Sequence, residues 1–300
     1  AKKGFDVTVF EALHEIGGVL KYGIPEFRLP NAIVDVEIEN LQKMGVKFIT
    51  DCIVGKTISV KNLEQQGFKG FFVGSGAGLP NFMNIPGENA LNIMSSNEYL
   101  TRVNLMDAAN PHTDTPINLG KKVVVVGGGN TAMDSCRTAK RLGAEVTLVY
   151  RRSEAEMPAR LEEVKHAKEE GINFMTLHNP KEYEADEKGA VKAVVLDVMQ
   201  LGEPDASGRR RPEATGETIT LECDQVIVAV GVSPNPLVPQ SIEGLELGRK
   251  NTIAVNDQMQ SSIEEIYAGG DIVRGGATVI LAMGDGRKAA LNMSEKLLKK

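Results

Sequence analysis

Three stretches of the chain predict an α/β fold of parallel strands joined by crossover helices. The first is KKVVVVGGGNTAMDSCRTAKRLGAEVTLVYRR, Lys121 to Arg152. Val123 to Val126 is a continuous β-branched run, as expected of a strand buried on both faces of a parallel sheet. Gly127, Gly128 and Gly129 follow at once. Asn130 to Leu142 then carries Ala132, Met133, Cys136, Ala139 and Leu142 at helical spacing. Gly143 stands where a helix-ending C′ residue belongs, and Glu145 to Tyr150 reads as a second strand. The second stretch is Asp6 to Phe10, a strand closed by the acid Glu11. The third is Asp224 to Val230, an apolar strand that stops at Gly231 and the loop VSPN, the form of a ligand-facing strand end.

The central unit has a chemical meaning. Its turn reads Gly127-x-Gly129-x-x-Ala132 between a strand and a helix. Glycines let the backbone turn sharply and approach a pyrophosphate, and the helix N-terminus offers N–H groups and a positive dipole end to the phosphates. The end of the second strand selects the nucleotide. An acid there would hold a ribose 2′-hydroxyl; this chain has Arg151 and Arg152, whose forked donors suit a 2′-phosphate, so NADP(H) is expected over NAD(H). Arg160, beyond Met157-Pro158, is a weaker candidate for the same phosphate, and a solvated basic turn is the alternative reading of the pair.

Taken in order, the chain opens with AKKG, which resembles the tail of a helix, followed by the Asp6–Phe10 strand and Glu11. That is the second half of a dinucleotide-binding unit. The first strand and its glycine fingerprint are therefore expected upstream, in a longer protein of which this is an N-terminally truncated part. The loop HEIGGVLKYGIPEFRLP suits a cofactor-wrapping segment, and Asn31 is placed to cap a helix to about Met44 with Ile33, Val34, Ile38 and Leu41 on one face. Val46–Ile49 is a strand. Phe68–Gly78 is an apolar strand ending in Gly74, Ser75, Gly76, Ala77 and Gly78, which allow close approach to a ligand or a tight crossover. Ser96–Asp107 reads as helix and Ala108–Gly120 as a link. A helix runs from Arg160 to about Glu170, ended by Gly171, and Ile172–Leu177 is a strand. Val191–Leu201 and Glu217–Leu221 form a hairpin pair, with Arg209, Arg210 and Arg211 at its solvated tip. Ile266–Ala268 is a short strand before Gly269, Gly270 and Asp271. An Asp in that place can accept a ribityl or ribose hydroxyl. Thr278 precedes the last helix, from Val279 to about Leu298, whose N-terminus would stabilise a reduced flavin.

Composition excludes several classes. The chain has 300 residues and a formal charge of −6, with no basic footprint for nucleic acid and no apolar run long enough for a membrane span. Its three cysteines, Cys52, Cys136 and Cys223, make no Cys-x-x-Cys, so neither a dithiol of that spacing nor a metal cluster is encoded; Cys136 is assigned to the core. A reducing cytoplasm is expected. The histidines, His14, His112, His166 and His178, show no paired pattern.

Glu11 with its Gly-Gly loop and GIPEFRLP, then VGSGAGLP, GGGNTAMD with YRR and EMPAR, AVGVSPNP, and YAGGDIVRGGATVILAMGDGRKAA occur in this order. Together they resemble the small (β) subunit of NADPH-dependent glutamate synthase. They are similar also to the large subunit of NADH-dependent ferredoxin:NADP oxidoreductase and to the flavin domains of dihydropyrimidine dehydrogenase. The resemblance implies two interleaved Rossmann-like domains. The FAD domain would span residues 1–106 and 229–300, with an NADPH domain, 107–228, inserted in it. It implies that Glu11, Gly18, Leu20, Arg28, Val54, Gly270, Asp271, Ala277, Thr278 and Val279 contact FAD; Gly76, in the small-residue strand end, is a further cofactor-binding candidate. Gly128, Gly129, Asn130, Thr131, Arg151, Arg152 and Arg160 would contact NADPH, and Ala229, Val230 and Gly231 would lie near the nicotinamide. The family's FAD glycine fingerprint and its cysteine-rich domain, which carries [4Fe-4S] clusters, are not in this chain.

The implied function is an NADPH-linked flavin oxidoreductase: hydride passes between nicotinamide and flavin, and electrons pass to or from iron–sulfur clusters. No side chain is required as acid or base, so none is expected to be catalytic. The partner would be a glutamate synthase large subunit or a ferredoxin-linked subunit, and the sequence does not separate them. A disulfide reductase is disfavoured by the missing dithiol, and a non-enzymatic nucleotide-binding subunit is the remaining alternative.

Overall fold

A computed structural model describes residues 1–204, 206 and 208–299. In chain order the first elements are β1 (Thr8–Phe10), α1 (Val19–Tyr22), α2 (Asn31–Lys43), β2 (Lys47–Ile49), α3 (Val60–Gln65), β3 (Phe71–Val73), β4 (Leu79–Pro80), β5 (Ile93–Ser95) and α4 (Ser96–Leu100). The glycine-rich centre follows as β6 (Lys122–Val126), α5 (Asn130–Arg141), β7 (Glu145–Tyr150), α6 (Leu161–Glu169) and β8 (Asn173–Thr176). Then come β9 (His178–Ala185), β10 (Val191–Pro204), β11 (Arg210–Glu222), β12 (Gln225–Val228), β13 (Val232–Ser233), α7 (Leu237–Gln240), β14 (Ile266–Ala268), α8 (Asp271–Arg274) and α9 (Val279–Lys299).

Two compact units result. The second comprises Val19–Asn31 and Pro80–Gly231. Its centre is a parallel sheet in the order β5-β12-β6-β7-β8. Val123–Val126 and Val226–Val228 are buried throughout because helices or a second sheet cover both faces, which is why they are apolar without alternation. On one face α5 and α6 bring Ala132, Met133, Cys136, Ala139, Val164 and Ala167 against Val123, Val125, Val146 and Leu148. Against the other face lie Tyr183, Val191, Val194 and Leu196 of the antiparallel β9-β10-β11 sheet, packed on Val124, Val126, Val149 and Val226. Each fully buried Val or Leu is worth roughly 1.5–3 kcal/mol, so this three-layer core holds the glycine turn firmly.

The long segment of this unit starts at Pro80, because β5 joins the parallel sheet beside β12 and carries α4 with it. Val19–Asn31 belongs to the same unit. The expected helix at Ser96–Asp107 is α4, capped by Ser95 Oγ accepting from the Glu98 N–H, followed by a wider π-helical turn at Thr101–Leu105.

The first unit comprises Ala1–Gly18, Ala32–Leu79 and Val232–Lys300. β1 pairs β2 and β3 pairs β14, both in parallel. Its core gathers Val73, Ile242, Ile253, Ile266, Ala268 and Ile272. Two expectations about α2 are corrected. Of its proposed apolar face only Val34 is buried, while Ile33 and Leu41 are exposed. Asn31 does not cap the helix; it is the first helical residue, and its N–H donates to Glu26 Oε2 at 2.8 Å. No helix among the described residues is long and apolar enough to cross a membrane.

Candidate dinucleotide site

The turn after β6 explains its three glycines separately. Gly127 has φ +142°, and a Cβ there would lie 2.3 Å from the Ala229 carbonyl oxygen. A Cβ on Gly128 would lie 2.6 Å from Cε2 of Tyr150. These two are glycine because the backbone of β12 and the ring at the end of β7 leave no room. Gly129 differs. Its conformation is extended (φ −93°, ψ 177°), nothing lies within 4 Å of a Cβ placed on it, and no side chain caps the helix it opens. Its small size serves open space in front of the first N–H groups of α5, as an approaching pyrophosphate requires. Ala132, the third small residue of the pattern, is fully buried against the sheet.

The loop leaving β7 returns to this turn. Tyr150 Oη donates to the Glu156 carbonyl at 2.9 Å, the Ala159 N–H to the Gly128 carbonyl at 3.1 Å, and the Arg160 N–H to Asn130 Oδ1 at 2.9 Å. Arg160 and Thr131 are thereby exposed beside the helix N-terminus. Arg151 is also exposed, while Arg152 is 7% exposed and donates from Nε to the Arg210 carbonyl at 2.8 Å. The two adjacent arginines, equal in the sequence, therefore do different things: Arg151 faces solvent and Arg152 ties the loop to the hairpin. Arg210, exposed like Arg209 and Arg211, is the first residue of β11 and is ion-paired to Glu156. Ala229, Val230 and Gly231 close the opposite side of the turn. The Ala229 N–H donates to the Val126 carbonyl at 2.8 Å, and the Gly231 carbonyl accepts from Asn81 at 3.0 Å.

A charge cluster missed by sequence reading fixes the segment Val19–Asn31 to this unit. Arg28 Nη1 meets Asp134 Oδ1 and Oδ2 at 2.7 and 2.8 Å, and its Nε lies 3.1 Å from Glu163. Arg137 bridges Glu163 and Glu170, and Arg141 also reaches Glu170. The guanidiniums of Arg137 and Arg141 lie 4.6 and 4.0 Å from the Phe27 ring centroid. Burial raises the Asp134 carboxyl to about 6 against the pull of Arg28. Arg28 is thus held by two carboxylates of α5 and α6, and Leu20 lies in the same segment.

In the first unit, Gly270 has φ +77° and ψ −150°, a region only glycine takes readily. Asp285 fixes it: its Oδ2 accepts from the Gly270 N–H at 3.1 Å, and both its oxygens accept from Arg274 at 2.7 Å. Arg274 holds the Asp285 carboxyl below the usual carboxylate range. Asp271 Oδ1 accepts from the Ala277 N–H, so Asp271, Ala277, Thr278 and Val279 form one continuous edge leading into α9. Glu11 Oε1 accepts from the Leu13 N–H at 3.0 Å directly after β1, and Gly18 (φ +53°) and Gly76 (φ +69°) have open space where a Cβ would be. Val54 bridges to Ile58. These glycines and carboxylates are of the kind an FAD ribose and pyrophosphate need. A cleft bordered by Lys122, Glu145 and Glu222 lies at the N-terminal ends of β6 and β7, the wrong end of a parallel sheet for such a ligand.

The sequence matches the family described as pyridine nucleotide-disulphide oxidoreductase over residues 1–286. The chain belongs to that family. The α/β dinucleotide-binding fold and the oxidoreductase class expected from the motifs hold. It is 39% identical over 303 residues to the NADP(+)-dependent formate dehydrogenase subunit beta of Moorella thermoacetica, covering 99% of this chain and 41% of that protein. It is 36% identical over 99% of its length to a protein of Cereibacter sphaeroides provisionally named as a glutamate synthase [NADPH] small chain, covering 72% of it. The NADPH-Fe(3+) oxidoreductase subunit beta of Geobacter sulfurreducens is 37% identical, with 97% of this chain and 46% of that one covered. The chain therefore spans less than half the length of two of these three relatives. Among solved structures, Mycobacterium tuberculosis FprA in complex with NADPH superposes with a TM-score of 0.81 at 19% identity, over 98% of this chain and 78% of that one. Thioredoxin reductase of T. acidophilum gives 0.74 at 19% identity, over 99% and 92%. Membership does not bring a disulfide centre: Cys52, Cys136 and Cys223 are all buried and free, and burial pushes the Cys136 and Cys223 thiols up, Cys223 to about 12.

Proposed function

We propose that this chain is the NADPH- and FAD-binding part of a cytoplasmic electron-transfer oxidoreductase that works with a partner subunit. The partner would be of the glutamate synthase large-subunit or ferredoxin-linked kind, and [4Fe-4S] clusters would lie outside this chain. The observation that carries the reading is the return of the Arg151–Arg160 loop to the uncapped N-terminus of α5. It gathers N–H donors for a pyrophosphate and exposed guanidiniums for a 2′-phosphate on one rim.

The residues have these roles. Gly128, Gly129, Asn130 and Thr131 present the backbone to the pyrophosphate. Arg151 and Arg160 bind the 2′-phosphate, and Arg152 holds their loop. Ala229 to Gly231 border the nicotinamide end. Glu11 and Asp271 bind FAD hydroxyls, and the N-terminus of α9 favours negative charge on the flavin. Bound flavin and nicotinamide supply the hydride chemistry; the chain binds, orients and shields them. The test is to measure NADPH and NADH affinity of the full-length protein and of Arg151→Ala. The expected result is a preference for NADPH that falls at least about tenfold in the variant, on the scale of one charged hydrogen bond. Equal affinities in the wild type would remove the 2′-phosphate assignment.

A further inference from the structure

The loop that carries Arg151 also carries an acid. Glu156 has a side chain only 10% exposed, and the Ser153 hydroxyl donates to its Oε2. Its carboxyl is held below the usual range, first by that hydroxyl and then, against burial, by Arg210. Glu156 is thus ionised at neutral pH. An ionised carboxylate on the loop that follows β7 repels a 2′-phosphate bound to that loop. The chain answers it from a distant element. Arg210, on β11, reaches back so that its Nε lies 3.1 Å from Glu156 Oε1, while its own carbonyl accepts from Arg152 Nε. The Leu177 N–H donates to the Arg152 carbonyl at 3.1 Å, completing the seat of the loop. The Arg210 side chain, at the start of β11, remains 52% exposed.

We infer that Arg210 is a specificity-determining positioning residue for the 2′-phosphorylated nucleotide. Its guanidinium neutralises Glu156, and its backbone orients Arg152, so that the Arg151 rim carries net positive charge. This rests on the proposal that the Arg151 loop receives the 2′-phosphate. The β10–β11 hairpin is then part of the nucleotide site, not an appendage of the sheet.

The test compares NADPH and NADH dissociation constants for the full-length protein. The variants are Arg210→Ala, Glu156→Gln, Arg210→Ala/Glu156→Gln and Arg151→Ala. The Ala variant keeps the carbonyl that holds Arg152 and removes only the charge. It is expected to weaken NADPH about tenfold and to leave NADH unchanged, the scale of one charged contact. Glu156→Gln in that background is expected to restore most of the NADPH preference. Alone, Glu156→Gln removes the negative charge from the loop and is expected to raise the NADPH preference. A preference unchanged in Arg210→Ala while Arg151→Ala loses it overturns the inference and spares the 2′-phosphate assignment. Loss in Arg210→Ala that Glu156→Gln does not restore assigns Arg210 a merely structural role and also overturns the inference. A preference unchanged in both single arginine variants overturns the assignment itself.

Discussion

At the residue scale, the three glycines after β6 separate folding from binding. Gly128→Ala places a methyl 2.6 Å from the Tyr150 ring, which is held by its own hydrogen bond to Glu156. Overpacking of this kind costs roughly 1–3 kcal/mol, so the urea midpoint falls. Gly129→Ala meets no atom and keeps an allowed backbone. It is expected to change stability by less than about 1 kcal/mol while abolishing NADPH binding. Normal NADPH binding in that variant would make the turn purely structural. Asp134 gives a pH signature. Its folded pKa, about 6, lies above the ordinary carboxylate value, so the folded state holds the proton more tightly. The cost of ionising it is absent below about pH 4 and fully present above about pH 6. Asp134→Asn should therefore gain on the wild type as pH rises from 4 to 7, by at most about 3 kcal/mol. Parallel stability curves across that range would contradict the assignment. The glycine pattern was legible in the sequence because the three glycines stand together between a strand and a helix, although the atom that forces Gly127 comes from Ala229. The Arg28–Asp134 pair was not, because its members are 106 positions apart and sit in two separate motifs that nothing in the sequence links.

At the element scale, strands and helices with a strong local period were readable, and those made by pairing were not. β7 forms over the residues expected, and α5 ends one residue early. β9 was missed: HNPKEYEA has a proline, four charged or amide side chains and no alternation, and buries only Pro180 and Tyr183. It exists because β10 offers it a ladder, from Val191–Ala185 to Val198–His178. β11 was cut short for the same reason, which hid the place of Arg210. The turn before α8 depends likewise on a partner across sequence. Asp285→Asn loses the ion pair that holds Gly270, and is expected to cost about 1–3 kcal/mol and to lower FAD retention on gel filtration. Because the Asp285 carboxyl is depressed, its contribution is present above the ordinary carboxylate range and is lost as pH falls through it. Full flavin content in this variant would show that the Gly270–Asp271 edge does not bind FAD.

At the scale of the whole molecule, family membership and motif order agree on an oxidoreductase of the pyridine nucleotide class. The interleaving of two dinucleotide-binding units came from the resemblance of motifs, not from periodicity. The point where one unit gives way to the other had no sequence mark, because Pro80–Ser95 joins a sheet whose other strands come much later. The chain has no Cys-x-x-Cys, and Cys52, Cys136 and Cys223 are all buried and free. The most direct measurement is an anaerobic titration of the full-length protein with NADPH and NADH in parallel, following the visible flavin absorbance. The account predicts rapid bleaching by NADPH and a much weaker response to NADH. Equal responses would contradict the role of Arg151 and its loop, and a protein without flavin absorbance would contradict the oxidoreductase reading proposed for this chain.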